Sequence, residues 1–209
     1  MDRIAAIIIA TERRKQQLTR VIDSTCAHNF NDIVVVGDWE YNDEWSNFLN
    51  VAPLTRTTVD ALVKRDIGTL SVPEASVLVY LCDDHILAPG FGAALRAVLD
   101  EPWDVIVPNR YTKRIVCGCG HGCTAECEGC EVEETLPLNN GERDDYCGGH
   151  GGIFRRHVIT AKPWSAHAHH RNWDAQISAE QIARGARFVW SPRAELSIID
   201  IEPQMEPWK

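Results

Sequence analysis

Ile4 to Ala10 is an unbroken run of seven apolar residues, four of them isoleucine. A β-branched run with no polar residue at alternate positions cannot line a sheet that has one wet face. It suits a strand covered on both sides, and such strands belong to parallel sheets sandwiched between helices. The run is also far too short to cross a bilayer. It leads into Thr11-Glu12-Arg13-Arg14-Lys15 with no small-residue cleavage site, so it is not read as an export signal. The expected location is the cytoplasm, or the host cytoplasm for a phage-encoded chain.

The rest of the chain continues the alternation that the first strand implies. Leu18, Val21, Ile22, Thr25 and Cys26 recur at helical spacing, which predicts a helix over 15–28. Ile33 to Val36 is a second strand, ending at Gly37-Asp38. Residues 39–50 read as a loop or short helix. Val59, Leu62 and Val63 share one face of a helix over 57–66. Val77 to Leu81 is a third strand and runs directly into Cys82-Asp83-Asp84-His85. After the turn at Pro89-Gly90, the residues Phe91, Leu95, Val98 and Leu99 mark a helix, and Val105 to Val107 marks a strand. A helix over 174–184, a strand from Phe188 to Ser191 and a last strand over 196–201 complete the series. This is an α/β sandwich around a mostly parallel sheet, expected as one domain over 1–209. Ligands of such sheets sit beyond the carboxyl ends of the strands, so Thr11, Asp38 and Asp83-Asp84-His85 are the residues to read for chemistry.

One segment breaks the pattern. Cys117, Cys119, Cys123, Cys127, Cys130 and Cys147 are six of the eight cysteines. Between the first and last of them lie eight carboxylates against the single base Arg143, so this stretch carries −7 of the chain's net −9. Clustered cysteines in a chain without an export signal point to metal before disulfides. Tetrahedral zinc takes four sulfur or nitrogen ligands, and Cys127-x2-Cys130 is a pair of the right spacing. The segment 117–147 is therefore expected to be an insertion holding structural Zn2+. It carries most of the chain's negative charge, so that charge does not exclude an anionic partner for the body.

Asp83-Asp84-His85 places two adjacent carboxylates and an imidazole at the end of a buried strand. Like charges in that position need compensation, which a divalent ion bound to a diphosphate would supply. A solvated turn capping the next helix is the simpler alternative.

With these motifs in order, the chain resembles the nucleotide-sugar glycosyltransferases of the GT-A fold, family 2 above all. Ile7-Ile8-Ile9-Ala10-Thr11-Glu12-Arg13 resembles the first strand and its Pro-Thr-x-x-Arg type loop, with Ala10 in place of Pro. Lys64-Arg65-Asp66-Ile67-Gly68 resembles the Ala-Arg-Asn-x-Gly segment. Val79 to Gly90 resembles the strand and DxD motif with its following Pro-Gly. Gly151 to Arg156 and then Trp173-Asp174 resemble the acceptor loop and the Glu-Asp helix, with Trp173 in place of Glu. Setting the register by Pro-Gly puts Cys82 where DxD has its first Asp; alternatively Asp83-Asp84-His85 reads as Asp-x-His.

The resemblance implies a GT-A-like, Rossmann-like fold and transfer of a sugar from a nucleoside-diphosphate sugar, a UDP-sugar first, to an acceptor hydroxyl with inversion. Mn2+ or Mg2+ would sit at Asp84 and His85, with Asp83 on the ribose or the ion. Thr11, Glu12, Arg13, Asp38 and Arg65 would line the donor, and Asp174 would be the general base. The size is similar to small phage-type enzymes that glycosylate 5-hydroxymethylpyrimidines in DNA. Basic groups at Arg13-Arg14-Lys15, Arg110 with Lys113-Arg114, and Arg155-Arg156 could meet its phosphates. Two other classes compete: a nucleotidyltransferase on a related fold, against which the glycine-free loop after the first strand argues, and a zinc-stabilised binding module without catalysis. Asp84→Ala separates them. Under either enzyme reading it abolishes turnover with the fold intact; full activity in a turnover assay would remove Asp84 from the chemistry.

Overall fold

The structure is a computed structural model that describes residues 2–39, 48–51, 57–117, 131–137, 151–167 and 173–201, without side chains at 13, 15, 16, 57–59, 112–117 and 131–137. The strand β1 (Ile4–Ile9) is buried along its whole length. Ile4 and Ile8 enter one hydrophobic cluster, Ala5, Ile7 and Ile9 the other, so this one strand feeds the cores on both faces of the sheet. It pairs in parallel with β2 (Asp32–Gly37) on one side and with β4 (Val77–Cys82) on the other. The apolar run thus does what its composition demands: it is the middle of a sheet with two covered faces.

Among the described residues the main sheet has seven strands in the order β10-β6-β9-β4-β1-β2-β3. β3 (Phe48–Asn50), β6 (Val105–Val107) and β10 (Phe188–Trp190) extend it by parallel pairing. β9 (Gly152–Arg155) is inserted antiparallel between β4 and β6. A second sheet has the order β5-β11-β7-β8, from β5 (His85–Leu87), β7 (Asn109–Cys117), β8 (Glu131–Pro137) and β11 (Ser197–Ile201). No described helix is long and apolar enough to cross a membrane.

The helices correct the expected boundaries. α1 (Lys15–Cys26) ends before the predicted residue 28, and Asn29 follows with φ 53°, a left-handed position that stops the helix. α2 (Thr57–Ser71) runs five residues past its predicted end. Gly68 acts inside this helix by proximity: a Cβ there would lie 2.4 Å from Ile7 Cγ2. The bare glycine lets α2 lie against β1. α3 (Phe91–Ala97), α4 (Arg156–Thr160) and α5 (Trp173–Ala183) complete the helices.

Three short strands were not expected. β3 and β5 have three residues each, too few to show a period. β9 lies where Gly151 to Arg156 resemble an acceptor loop, yet Ile153 and Phe154 are buried between two strands. The cysteine segment leaves the body at Cys117 and returns through β8, which pairs antiparallel with β7. Cys119, Cys123, Cys127, Cys130 and Cys147 lie outside the described residues, as does the Cys117 side chain.

Gly68→Ala is expected to destabilise the protein by about 1–3 kcal/mol, overpacking against Ile7 outweighing the gain in helix propensity. The measurement is the urea midpoint at unchanged m-value. A midpoint at or above wild type would show that α2 does not depend on this close approach.

Candidate active site

Because β1, β2 and β4 are parallel, their carboxyl ends open on one edge of the sheet, and the loops after them meet there. Asp83 closes the first link. Its Oδ2 accepts hydrogen bonds from both the backbone N–H and the hydroxyl of Thr11, each at 2.8 Å. Asp38, just past β2, makes the second: its Oδ1 accepts the Glu12 N–H at 2.9 Å. Its Oδ2 lies 3.2 Å from Lys64 Nζ.

Lys64 is the deepest charge in the molecule's described part, with its side chain fully buried. The ammonium donates to the Ala10 carbonyl at 2.9 Å and pairs with Asp60, one helical turn earlier, at 2.6 Å. A buried ammonium is tolerated when each of its protons has an oxygen, and here α2 delivers it to the ends of β1 and β2. Sequence reading took Lys64 only as part of a motif. The Asp60–Lys64 spacing was the available signal.

Beyond Asp83 the charges crowd. Arg14 reaches the carboxylates: its guanidinium lies 3.3 Å from Asp83 Oδ1 and donates to Asp84 Oδ2. The Arg13 backbone lies in the turn Glu12–Arg14; its side chain is outside the description. Asp84 Oδ1 is buried and accepts no hydrogen bond among the described residues; His85 Nε2 lies 3.5 Å away. Burial raises the Asp84 carboxyl to about 6, with Arg14 pulling it down and Asp83 and Asp200 pushing it up.

Antiparallel pairing of β5 with β11 sets Asp200 opposite His85. Asp200 Oδ1 is 3.2 Å from His85 Nε2 and accepts a hydrogen bond from Arg110. The Cys82 backbone N–H donates to His85 Nδ1 at 3.1 Å. Both ring nitrogens face N–H donors, Nδ1 the Cys82 amide and Nε2 the Arg110 guanidinium at 3.0 Å, while the carboxylates of Asp200 and Asp84 lie beside Nε2. Sequence alone does not bring Asp200 or Arg110 to His85, because only the second sheet places them here.

Cys82, Asp84 and His85 bring one donor atom each within 4.8 Å of one another. A divalent cation fits this cluster. Asp84 Oδ1 accepts no hydrogen bond among the described residues, and Arg14 already shows that the carboxylate pair takes a positive charge. Burial pushes the Cys82 thiol up to about 11, partly offset by Arg65, so in the absence of a cation it is not a thiolate nucleophile at neutral pH.

A second group of residues lies on the α2 side. The Arg65 guanidinium is buried 5.1 Å from the Trp164 ring centre and 5.0 Å from that of Trp173. The Tyr80 hydroxyl is 2.6 Å from Thr69 Oγ1 and accepts the Trp164 indole N–H at 3.2 Å. Asp66 caps the distant 3-10 turn Trp164–His167 by accepting the N–H groups of Trp164 and Ser165. Arg65 is thus held in an aromatic bed next to the site. Asp174 is in the first turn of α5, directly after Trp173; its Oδ1 accepts the Ala175 N–H at 2.8 Å.

The structure gathers Thr11, Glu12, Asp38, Asp83, Asp84 and His85 at one edge. It links Arg65 to the start of α5 through Trp173. Of the expected basic groups, Arg110, Arg155 and Arg156 are engaged within the protein. Arg155 pairs with Asp2 and packs on Trp103, and Arg156 donates to the carbonyls of Thr69, Val72 and Ala75. Arg110 is spent on Asp200. Gly151 approaches the protein itself rather than open space: a Cβ there would lie 3.1 Å from the Tyr80 carbonyl oxygen.

No protein-family model matches the chain, and no curated protein matches its sequence. Solved structures share its fold. GalNAc-T7 with UDP, GalNAc and Mn2+ superposes with a TM-score of 0.60 at 12% identity, over 98% of this chain and 45% of that one. The mannosyltransferase PcManGT from Pyrobaculum calidifontis, in complex with GDP-Man and Mn2+, gives 0.58 at 10% identity, over 98% of this chain and 58% of that one. The 4-diphosphocytidyl-2C-methyl-D-erythritol synthase from Anaerococcus prevotii gives 0.53 at 13% identity, over 97% and 92%. The chain spans about half the length of the two glycosyltransferases. The fold is GT-A-like, shared by glycosyltransferases and nucleotidyltransferases.

The Asp84 environment has a pH signature. Its folded pKa of about 6 exceeds the ordinary carboxyl value. The folded, metal-free chain therefore keeps a proton that the unfolded chain loses, and stability falls as pH rises from about 4 to about 6. Asp84→Asn removes this dependence. Its Tm is expected to match wild type near pH 4 and exceed it above pH 6, by an effect of up to about 2 kcal/mol. A difference that shrinks as pH rises would contradict the buried-carboxylate account.

Proposed function

We propose that this protein is a metal-dependent glycosyltransferase, moving a sugar from a nucleoside-diphosphate sugar to an acceptor hydroxyl with inversion. The observation that carries the reading is the meeting of Asp38, Asp83, Asp84 and His85 at the carboxyl edge of β1, β2 and β4. That is where α/β sheets of this kind bind ligands, and structures of the same fold hold UDP or GDP-Man with Mn2+.

In this reading the loop of Thr11, Glu12 and Arg13 receives the nucleoside. The Asp38 carboxylate, fixed by Lys64 and Glu12, accepts a hydrogen bond from the base or ribose. Asp83 is already committed to Thr11 and orients the loop against the ribose side or the ion. Asp84 and His85 hold the cation, Mn2+ or Mg2+, which would neutralise charge on the leaving diphosphate. Arg65 faces the diphosphate from the α2 side. Asp174, in the first turn of α5 after Trp173, takes the acceptor proton as general base. The 117–147 segment, with zinc on Cys117, Cys119, Cys123, Cys127, Cys130 and Cys147, shapes acceptor entry.

Hydroxymethylated DNA is one acceptor class to test. With Arg110, Arg155 and Arg156 engaged internally, its phosphates would have to be met by other bases. Nucleotidyl transfer is the second reading, favoured by the near-complete length match to the diphosphocytidyl synthase.

The test is product analysis with Mn2+ across nucleotide sugars and nucleoside triphosphates, with and without hydroxymethylcytosine DNA. Release of nucleoside diphosphate, lost in Asp84→Ala and Asp174→Asn, is expected; DNA-stimulated release would assign the acceptor. Asp38→Asn is expected to weaken nucleotide binding by roughly 10-fold, the loss of one hydrogen bond to a charged group. Release of pyrophosphate from a triphosphate would transfer the assignment to nucleotidyl transfer, and silence with every donor would overturn both.

A further inference from the structure

The cation cluster contains an atom that does not belong with Mn2+ or Mg2+. Cys82 ends β4, the strand that also delivers Asp83, and its sulfur lies within 4.8 Å of donor atoms on Asp84 and His85. Hard cations select oxygen ligands. A thiolate with an imidazole and a carboxylate is the donor set of zinc and of ions that imitate it.

The three donors are not equally ready. Cys82 and Asp84 present sulfur and a buried carboxylate oxygen that accepts no hydrogen bond among the described residues. His85 ligates by either nitrogen only if it gives up the bond from the Cys82 N–H, because a nitrogen-bound ion needs one ring lone pair and the ring proton must then sit on the other nitrogen. Arg14 lies against the far side of the carboxylate pair. The sulfur and the Asp84 oxygen therefore define the seat of the ion, with His85 closing it.

We propose that Cys82 is a thiolate ligand of the active-site cation, and that this ligand tilts the site towards a zinc-type ion and away from Mn2+ and Mg2+. The proposal rests on reading this cluster as the cation site of the donor diphosphate. On ligation the thiol gives its proton to solvent and the sulfur lone pair goes to the ion; nothing is oxidised or reduced.

Zinc outbinds manganese at almost any nitrogen, oxygen or sulfur site, so a bare preference for zinc is no test. The diagnostic is how the preference changes with the ligand. The full chain, carrying whatever metal its other cysteines hold, is titrated with Co2+, and sulfur-to-cobalt charge-transfer absorbance is read in wild type, Cys82→Ser and Asp84→Asn. Thiolates elsewhere absorb equally in all three, so the difference spectrum isolates residue 82. In parallel, Zn2+ and Mn2+ affinities are measured by calorimetry for wild type and Cys82→Asp, with folding checked by circular dichroism.

The expected result is a charge-transfer band present in wild type and lost in Cys82→Ser. The Zn2+ to Mn2+ affinity ratio is expected to fall by about 10-fold or more in Cys82→Asp, where oxygen replaces sulfur. Identical cobalt spectra in wild type and Cys82→Ser, or an unchanged ratio, would overturn the thiolate ligand. The donor reading is judged separately, by whether UDP or GDP raises the Tm in the presence of cation. If the cobalt spectra of wild type and Cys82→Ser are identical and the nucleotide still shifts Tm, only the thiolate falls. If the cobalt band is present and no nucleoside diphosphate shifts Tm, the metal site stands and the donor reading falls.

Discussion

The buried Lys64 ammonium is the interaction on which the carboxyl edge depends. Three oxygens meet it: the carbonyl at the end of β1, the carboxylate that follows β2, and Asp60 on its own helix. Removing the charge would leave two acids facing a dry core, a loss far larger than that of any one hydrogen bond. Gly68, one turn further along α2, supplies the other half of the constraint by letting the helix approach β1. Charge and steric fit therefore act on the same helix. Together they fix where Asp38 stands relative to Thr11 and Asp83.

From that anchor the edge alternates in sign. Asp38 lies between Lys64 and the Glu12 N–H; Asp83 lies between Thr11 and Arg14; Asp200 lies between His85 and Arg110. Asp84 is the exception. One of its oxygens has Arg14 and the other has no hydrogen bond among the described residues. Burial without full compensation is what lifts its pKa, and it is the same deficit that a cation would fill. This perturbed carboxylate lies in the cluster that brings a thiol and an imidazole together, and functional sites are where such perturbation concentrates.

The sheet was legible because its signal is short-range. A continuous apolar run announces a doubly covered strand, and the polar residues that end each run mark the ligand edge. Thr11, Asp38, Asp83, Asp84 and His85 were found that way. What escaped depends on pairing between distant segments. β5 has three residues, and its partner β11 comes more than a hundred residues later, so nothing local to His85 points to Asp200. β9 hides its strand behind glycines because its burial comes from β4 and β6, not from its own pattern. Arg14 carries no local mark either, since nothing in the sequence says which charge of the turn after β1 meets Asp83 and Asp84.

The arginines also show why charge runs mislead. Arg155 and Arg156 are adjacent, follow a glycine loop and read as a phosphate-binding pair. In the fold they are fasteners. One lies over Trp103 and ties β9 to Asp2, and the other gathers three carbonyls at the end of α2 and the loop after it. Carbonyls at a helix end are orphan acceptors, and a guanidinium with five N–H groups satisfies several at once. The same geometry that makes arginine a phosphate ligand makes it a helix-end clasp. Only the presence or absence of those carbonyls within reach distinguishes the two uses, and here the carbonyls are present.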